Sequence, residues 1–240
     1  MENISVLDDL KISVFLDGAN LQDISEYSKF SQIKGFTSNP TLMAKAGISD
    51  YSTFIIECLK VLNGKPISFE VVSDDINEMY EQALRIASFA KNIYVKIPIT
   101  NSKGHDTSKI IQKLTDNNIK VNITAITHSS QIDLISKKVL PKNEIILSIF
   151  SGRIADTGIN PELIYSSLNK LNLDQNFKTL WASPREIYNL YQANECNVDI
   201  ITITKDLLVK IKLCNKDLLE YSKETVQMFY EDGLKNKLSI

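Results

Sequence analysis

The residue whose surroundings point most directly to chemistry is Lys96, which lies in the apolar run Ile93–Pro98. Burial disfavours the ammonium form of lysine and lowers its pKa. A neutral amine is a nucleophile that attacks carbonyl carbons to form Schiff bases. The alternative interpretation is a structural lysine whose stem packs in the run while its ammonium reaches solvent. The other polar residues of the sequence favour the first interpretation.

Eight short runs, most of them rich in Ile and Val, recur along the chain, with helix-like segments between them. Most are apolar nearly throughout, which is typical of strands buried on both faces. The runs are Ile12–Asp17, Ile33–Ser38, Pro66–Val72, Ile93–Pro98, Ile119–Thr124, Glu144–Ile149, Lys178–Ser183 and Val198–Ile203.

The alternation of these runs with helices favours an α/β fold, a (β/α)₈ TIM barrel, in a chain of 240 residues. We expect one barrel domain over residues 1–240, with residues 215–234 as a C-terminal helical extension. The alternative is an open doubly wound sheet, which usually has a Gly-rich phosphate turn after its first strand. The segment Asp17–Asn20 contains a single glycine and is not such a turn.

Polar residues lie at or near the carboxyl end of every run, where barrels place their active sites. They are Asp17, Thr37, Ser38, Asn39, Glu70, Lys96, Asn122, Thr124, Ser148, Ser183, Thr202 and Thr204. Residues two apart in a strand share a face, so Asn122 and Thr124 can both point inward. Because an unpaired buried polar group costs about 1–3 kcal/mol, a polar residue in every strand indicates one shared cavity.

The residue types in this set match the needs of Schiff-base chemistry. Lys96 supplies the amine, and Glu70 with Thr124 can move protons through a water while the adduct forms and loses water. Asp17 is the candidate for a second base, which takes a hydroxyl proton when a carbon–carbon bond breaks. Side chains able to hold the hydroxyl groups of a sugar-like substrate are Asn39, Asn122 and Ser148.

Two arginines, Arg153 and Arg185, follow the sixth and seventh runs. Arginine matches the geometry of phosphate, and Ser183 with a helix predicted to begin at Pro184 would add hydroxyl and N–H donors. For each arginine taken alone, a solvated surface charge is the favoured interpretation. Their common position at the carboxyl ends of neighbouring strands favours a phosphate site.

Composition excludes several other classes of function. The formal net charge is −2, so no strong field attracts nucleic acid or an anionic membrane. The three cysteines are few and lack metal-ligand spacing, which is typical of a reduced, cytoplasmic protein. The two histidines, His105 and His128, form no zinc motif. The N-terminal segment is acidic and lacks the apolar stretch of a secretory signal, and no apolar run is long enough to cross a membrane.

Six segments in order along the chain, between about Val14 and Ile203, resemble the motifs of the transaldolase family. They are Phe15–Asn20, Gly35–Leu42, Val95–Thr100, Asn122–Thr124, Ser148–Arg153 and Ala182–Arg185. The second resembles the family signature T-T-N-P-S-L, and the third resembles the segment that carries the Schiff-base lysine. The T-S-N-P and V-K-I-P elements would each be weak alone, but six motifs in the family's order form a strong match.

The resemblance implies Lys96 as the nucleophile, Asp17 as the base for carbon–carbon cleavage, and Glu70 with Thr124 as holders of the catalytic water. The substrate-binding residues that it implies are Thr37, Asn39, Asn122, Ser148, Phe150, Arg153, Ser183 and Arg185. It also implies no metal, no organic cofactor, sugar phosphate substrates and a place in the pentose phosphate pathway. Small family members often form rings in which the C-terminal helix reaches a neighbour, and residues 215–234 are compatible with such a homo-oligomer and equally with a monomer or dimer.

Two positions bear on the branch of the family. Related aldolases that release free dihydroxyacetone tend to carry Gln in place of Glu70 and Tyr in place of Phe150. This sequence therefore favours transfer of a dihydroxyacetone unit from a ketose phosphate to an aldose phosphate. The alternatives are an enzyme similar to fructose-6-phosphate aldolase, a related enzyme for a different ketose, and a barrel that binds sugar phosphate without turnover.

The sequence also departs from the family pattern at several positions. Gly18 replaces a usual Thr, Ser38 replaces the second Thr of the signature, and Ile149 replaces a usual Pro. Thr127 and His128 replace a usual Phe-Ser pair, which leaves two interpretations of His128, intrusion into the site or a helix cap. These changes bear on the natural substrate more than on Schiff-base chemistry.

Overall fold

Eight parallel strands form a closed barrel in the order β1 to β8 in this computed structural model, which describes residues 4–168, 171 and 173–237. The predicted barrel is therefore confirmed. The strands are β1 Ser13–Asp17, β2 Ile33–Thr37, β3 Ile67–Glu70, β4 Ile93–Pro98, β5 Val121–Ile126, β6 Ile145–Ile149, β7 Phe177–Trp181 and β8 Ile200–Thr204. Closure comes from β1 pairing with β8, in which Asp17 lies opposite Thr204.

Helices cover the outside of the barrel. They are α1 Leu21–Tyr27, α2 Pro40–Lys45, α3 Tyr51–Val61, α4 Ile76–Ser88, α5 Ser108–Asp116, α6 Ser129–Lys138, α7 Ser151–Ala155, α8 Glu162–Leu168, α9 Tyr188–Glu195, α10 Lys205–Val209 and α11 Leu218–Lys235. Short polar side chains begin several of them; for example, Asn39 accepts a hydrogen bond from the Leu42 N–H at 3.0 Å. None of the helices in the described ranges is both long and apolar enough to cross a membrane.

The interior of the barrel is divided into an apolar lower layer and a polar upper layer. The lower layer contains the inward-facing side chains of Phe15, Tyr94, Ile146, Leu180 and Ile200. Gly35 admits the Phe15 ring, because a Cβ added at Gly35 would lie 2.6 Å from it. This packing closes the barrel below the level at which the polar side chains begin.

Strand β5 contains a bulge next to the upper layer. Ile123 pairs with Leu147 and Ile126 with Ile149, so Thr124 and Ala125 together lie opposite Ser148. Ala125 adopts a φ of 61°, a left-handed conformation that is costly for a residue with a Cβ. Bulges re-aim side chains near active sites, and here the bulge lies at the residue predicted to handle water.

The C-terminal helix α11 stands apart from the barrel core. It is 18 residues long and none of its residues is buried. Its exposed apolar side chains are Leu218, Leu219, Tyr221, Val226, Met228, Phe229, Tyr230 and Leu234. The predicted C-terminal extension therefore forms one continuous helix, and it leaves an apolar surface uncovered within the described chain.

Candidate active site

A cavity of about 490 Å³ opens at the carboxyl ends of the strands. Every strand contributes to its wall, either from the strand itself or from the residue that follows it. The contributing residues are Asp17, Thr37, Glu70, Lys96, Thr124, Ser148, Ala182 and Thr202. The tertiary structure thus brings together side chains from across the sequence, as a shared polar cavity requires.

Lys96 lies deep in this cavity and is only 5% exposed. Its Nζ lies 2.9 Å from Oε2 of Glu70 and donates a hydrogen bond to the Ser38 carbonyl oxygen at 2.9 Å. Glu70 and Lys96 are direct partners in the pairing of β3 with β4, so the strand register sets this contact. The ammonium therefore reaches a largely buried carboxylate rather than solvent, and the interpretation as a structural lysine whose ammonium reaches solvent is wrong.

Asp17 lies across the cavity from this pair. The Thr37 hydroxyl donates a hydrogen bond to its Oδ1 at 2.7 Å. Burial raises the pKa of Asp17 above its ordinary value; the positive charge of Lys96 and the Thr37 hydrogen bond oppose this shift, and Glu70 adds to it. A carboxylate whose pKa is raised by burial is suited to take up a proton in a reaction.

Two hydroxyl groups at the site are buried without a hydrogen-bond partner among the described residues. They belong to Thr124, which lines the cavity, and to Ser38, whose carbonyl oxygen contacts Lys96. Buried hydroxyls normally have partners, and exceptions frequently occur at functional sites. Thr124 therefore has a free hydrogen-bonding group for a water or for a substrate oxygen.

The three residues predicted to hold substrate hydroxyls occupy different depths. Asn39 lines the cavity, and the hydrogen bond to Leu42 uses its Oδ1 while leaving its amide NH₂ available. Ser148 also lines the cavity and donates to Oδ1 of Asn122 at 2.7 Å. Asn122 is fully buried behind Ser148, and its Nδ2 donates to the Ser68 hydroxyl at 3.1 Å.

The predicted phosphate-binding residues lie on one side of the cavity mouth. Arg153, Ser183 and Arg185 all line it, and the guanidinium of Arg153 lies 5.8 Å from the centroid of the Phe150 ring. Arg185 is about half exposed and forms an ion pair with Asp156. Its Nε donates to Oδ1 of Asp156 at 3.2 Å, so the acid holds one edge of the guanidinium.

The helix predicted to begin at Ser183 and Pro184 is absent, and this expectation was wrong. The helix α9 begins only at Tyr188, and Ser183 has a φ of 60°, whereas a capping residue usually has extended backbone. The backbone at Ser183 approaches Gly152 so closely that an added Cβ would lie 1.6 Å from the Ser183 carbonyl oxygen. Arg153 thus lies within the short helix α7, and Arg185 lies in the loop before α9, which packs closely against α7 at Gly152.

His128 is the capping residue of α6. Its ring Nδ1 accepts a hydrogen bond from the Ser130 backbone N–H at 3.1 Å, and the backbone N–H of His128 donates to the Gln131 side chain at 3.0 Å. The side chain is exposed and is not among the residues of the cavity wall. The interpretation as a helix cap is therefore confirmed.

Sequence reasoning missed three contributions to the site. It gave no role to Thr202, whose hydroxyl lies 2.6 Å from that of Thr37. It did not notice Asp156, which pairs with an arginine 29 positions away. It also missed Ala125, which lines the cavity from the β5 bulge. The polar type of Thr202 at a strand end was a usable signal, whereas the other two contributions depend on the fold.

A second cavity, of about 560 Å³, lies at the opposite end of the barrel. Its wall includes Tyr94 and Glu144, whose side chains are hydrogen-bonded, together with Lys11, Lys34 and Lys178. No buried lysine–carboxylate pair of the kind seen at the other end lies among its lining residues. Active sites of barrels lie at the carboxyl ends of the strands, so the smaller cavity around Lys96 is the candidate site.

No group of three or more His, Cys, Asp or Glu side chains in the described ranges has an arrangement that could hold a metal ion. The ionisable side chains at the centre of the cavity are instead one amine and two carboxylates, Lys96, Glu70 and Asp17. This set supplies an amine that can attack a carbonyl carbon and two carboxylates that can transfer the protons this addition and its reversal require.

Sequence comparison with known proteins identifies the family that this chain resembles. The sequence model of the family described as Transaldolase/Fructose-6-phosphate aldolase matches residues 14–238. A "Probable transaldolase" of Thermoplasma volcanium is 32% identical over 230 residues, which cover 93% of this chain and 96% of that protein. A "Probable transaldolase 2" of Listeria monocytogenes is 33% identical over 199 residues, which cover 82% of this chain and 87% of that protein.

A solved structure with a similar fold is that of a HpcH/Hpal aldolase/citrate lyase family protein from Burkholderia cenocepacia. It has a TM-score of 0.54 and 8% sequence identity, and the match covers 94% of this chain and 99% of that one. At this identity the likeness concerns the barrel fold alone. The family match over nearly the whole chain is the finding that classifies the protein, which belongs to the transaldolase/fructose-6-phosphate aldolase family.

Proposed function

We propose that this enzyme is a transaldolase that transfers a dihydroxyacetone unit from a ketose phosphate to an aldose phosphate through a Schiff base at Lys96. The observation that carries the proposal is the pair of the buried Lys96 and the largely buried Glu70, 2.9 Å apart, in the same cavity as Asp17. A barrel that only binds sugar phosphate needs neither a buried amine nor a carboxylate placed to exchange its proton.

The first half of the proposed reaction forms the covalent adduct. Glu70 takes a proton from the Lys96 ammonium, and the neutral amine attacks the ketone carbon of the substrate. The resulting carbinolamine loses its hydroxyl group as water, with a proton delivered by Glu70 through a water that the free Thr124 hydroxyl holds. The product is an iminium ion whose positive charge lies next to the bond that will break.

The second half breaks and remakes a carbon–carbon bond. Asp17 takes the proton of the hydroxyl group on the carbon beyond that bond, the aldehyde leaves, and the bonding electron pair moves into the iminium to give an enamine. The enamine then attacks the carbonyl carbon of an acceptor aldehyde, and Asp17 returns its proton to the new hydroxyl. Water finally releases the product from Lys96 by the reverse of the first steps.

The donors at the cavity mouth support a phosphorylated substrate. Arg153 and Arg185 present guanidinium groups on the side of the cavity where Ser183 also lies. A guanidinium binds phosphate through two parallel hydrogen bonds, which anchors the far end of the sugar. Asn39 and Ser148, nearer to Lys96, supply polar groups for the hydroxyls of the dihydroxyacetone fragment. By analogy with the family, we place the reaction in the cytoplasmic pentose phosphate pathway.

Covalent trapping tests the Schiff base directly. Borohydride reduction in the presence of fructose 6-phosphate should attach the sugar fragment irreversibly to the wild-type chain, because reduction of the iminium gives a stable amine. Lys96→Met should abolish the adduct, which peptide mass spectrometry would locate. Lys91→Met is the matched control, since Lys91 is an exposed lysine near the start of the same strand. An adduct of equal yield in Lys96→Met would refute the proposed nucleophile.

Transfer and simple cleavage can be separated by omitting the acceptor. We expect product formation from fructose 6-phosphate to depend on an added aldose phosphate, with slow release of free dihydroxyacetone in its absence. The physical reason is that Phe150 has no hydroxyl group that could protonate the enamine. The double variant Glu70→Gln, Phe150→Tyr should release dihydroxyacetone faster relative to transfer. Equal wild-type rates with and without acceptor would favour an aldolase over a transaldolase.

The phosphate site is tested by Arg185→Ala. Loss of a charge-assisted contact should raise KM for the phosphorylated ketose by about 10- to 100-fold. The same change should matter little for an unphosphorylated ketose, and kinetic assays with both substrates measure the difference. Arg85→Ala, on the outer helix α4, is the control for loss of an arginine. Unchanged kinetics with the phosphorylated ketose would remove Arg185 from the phosphate site.

We also propose that the enzyme is a homo-oligomer in which α11 packs against a second copy of the chain. Leu219, Val226 and Tyr230 are all exposed and lie seven and four residues apart, which puts them on one face of this helix. Large exposed apolar patches are uncommon on monomers. Light scattering should give a multiple of the monomer mass, and Val226→Lys should lower it. The control, Lys223→Gln, should not, and a monomeric wild type would contradict the proposal.

A further inference from the structure

A chain of hydroxyl groups links Asp17 to the eighth strand. The Thr37 hydroxyl lies 2.7 Å from Oδ1 of Asp17 and 2.6 Å from the hydroxyl of Thr202. Thr37 and Thr202 are both buried, and they lie on β2 and β8, the two strands that flank β1 in the closed barrel. The three side chains meet inside the barrel only because closure brings β8 next to β1.

The number of hydrogens available fixes which hydroxyl donates in each of these two hydrogen bonds. Each threonine hydroxyl has one hydrogen to donate, and an ionised carboxylate only accepts. The hydrogen of Thr37 is therefore used in its bond to Asp17, and the bond between the two threonines must use the hydrogen of Thr202. While Asp17 is ionised, the only arrangement that makes both bonds runs from Thr202 through Thr37 to the carboxylate.

This arrangement favours the ionised form of Asp17. A donor that itself accepts a hydrogen bond is polarised and becomes a stronger donor, so Thr202 strengthens the bond from Thr37 to the carboxylate. Burial acts in the other direction and raises the pKa of Asp17. The bond to Oδ1 also fixes the carboxylate plane, and Oδ2 accepts no hydrogen bond from the described residues that would compete for an incoming proton.

We propose that Thr202 is a positioning residue that acts through Thr37 to hold Asp17 ionised and correctly oriented as the base for carbon–carbon cleavage. This inference rests on the proposed function, since it assigns a role in the step given to Asp17. Thr202 touches no reacting atom in this scheme. Its contribution should therefore appear in the pH dependence of turnover rather than in formation of the covalent adduct.

The charged groups around Asp17 constrain how such a pH dependence is interpreted. Lys96 on β4 and Glu70 on β3 face it across the cavity, and Arg153 and Arg185 lie further along the same wall. Next to the ends of β1 and β8, Lys205 and Asp23 lie 2.6 Å apart and form an ion pair. A threonine substitution leaves every one of these charges in place, so a shifted titration reports on the hydroxyl chain.

The test compares Thr202→Val with Thr202→Ser. Valine keeps the shape of threonine but removes the hydroxyl, so the pKa of Asp17 should rise and activity should be lost at a higher pH as the medium is acidified. We expect the acid limb of kcat/KM to move upward by about half to one pH unit, the size expected for one neutral hydrogen bond. Serine restores the donor and should return the limb to the wild-type position.

Two further variants make the result specific. Thr204→Val removes a hydroxyl from the same strand that takes no part in the bonds between Thr202, Thr37 and Asp17, so its acid limb should stay at the wild-type midpoint. Thr202→Ala provides a second deletion of the hydroxyl if the valine variant folds poorly. Borohydride trapping should proceed in all of them, as it should in Asp17→Ala, because the adduct forms before the cleavage step.

The outcomes separate the inference from the function on which it rests. An acid limb of Thr202→Val and Thr202→Ala that coincides with wild type would overturn the role of Thr202 while leaving the transaldolase proposal intact. A shifted limb that Thr202→Ser fails to restore would also overturn it, since it would indicate packing rather than hydrogen bonding. A wild-type enzyme that cannot be trapped at all would instead refute the proposed function.

Discussion

The contact on which the rest of this structure depends is the largely buried ion pair between Lys96 and Glu70. Removing two charges from water costs several kcal/mol per ion, and their attraction repays this cost only with good geometry and further hydrogen bonds. The barrel supplies both, because the register of β3 with β4 sets the two residues side by side and the Ser38 carbonyl oxygen accepts a second hydrogen bond from Lys96. An amine held in this way is shielded from bulk solvent and lies next to a group that can take its proton.

The apolar lower layer of the barrel confines the polar side chains to one end and offsets the free-energy cost of burying them. Phe15, Tyr94 and Leu180 fill the barrel interior beneath the cavity, so the polar side chains are confined to one end. Outside the strands, the apolar residues pack against helices such as α3 and α4 and form the main core. The strands are therefore buried on both faces, which explains why most of their sequences are apolar nearly throughout.

Within the polar layer, some hydrogen bonds are complete and others are left open. Asn122, Ser148 and Ser68 satisfy one another, and Thr202, Thr37 and Asp17 form a second connected group. The hydroxyl of Thr124, by contrast, has no partner among the described residues, and it lies beside the strained bulge at Ala125. The connected networks fix the orientation of their side chains, and the unpaired Thr124 hydroxyl at the cavity wall is open to a substrate or a water.

The sequence by itself determined the barrel, the buried lysine and the two carboxylates, because each follows from a local pattern. Strand residues alternate between the two faces, so a charged residue inside an apolar run must meet the barrel interior or the helix layer. The sequence also predicted that Arg153 and Arg185 lie together at the mouth of the active-site cavity, since they follow two neighbouring strands. These inferences need no knowledge of distant contacts.

Only the tertiary structure decided which of these side chains meet and how. In the hydrogen-bonded series from Thr202 through Thr37 to Asp17, the two threonines lie 165 positions apart in the sequence. Their hydroxyl groups meet because the barrel closes. The pairing of Arg185 with Asp156, the left-handed backbone of Ser183 and the bulge at Ala125 likewise arise where separate turns and strands pack together. Local sequence specifies the face of a strand, whereas pairing across the barrel depends on register and closure, which are properties of the whole sheet.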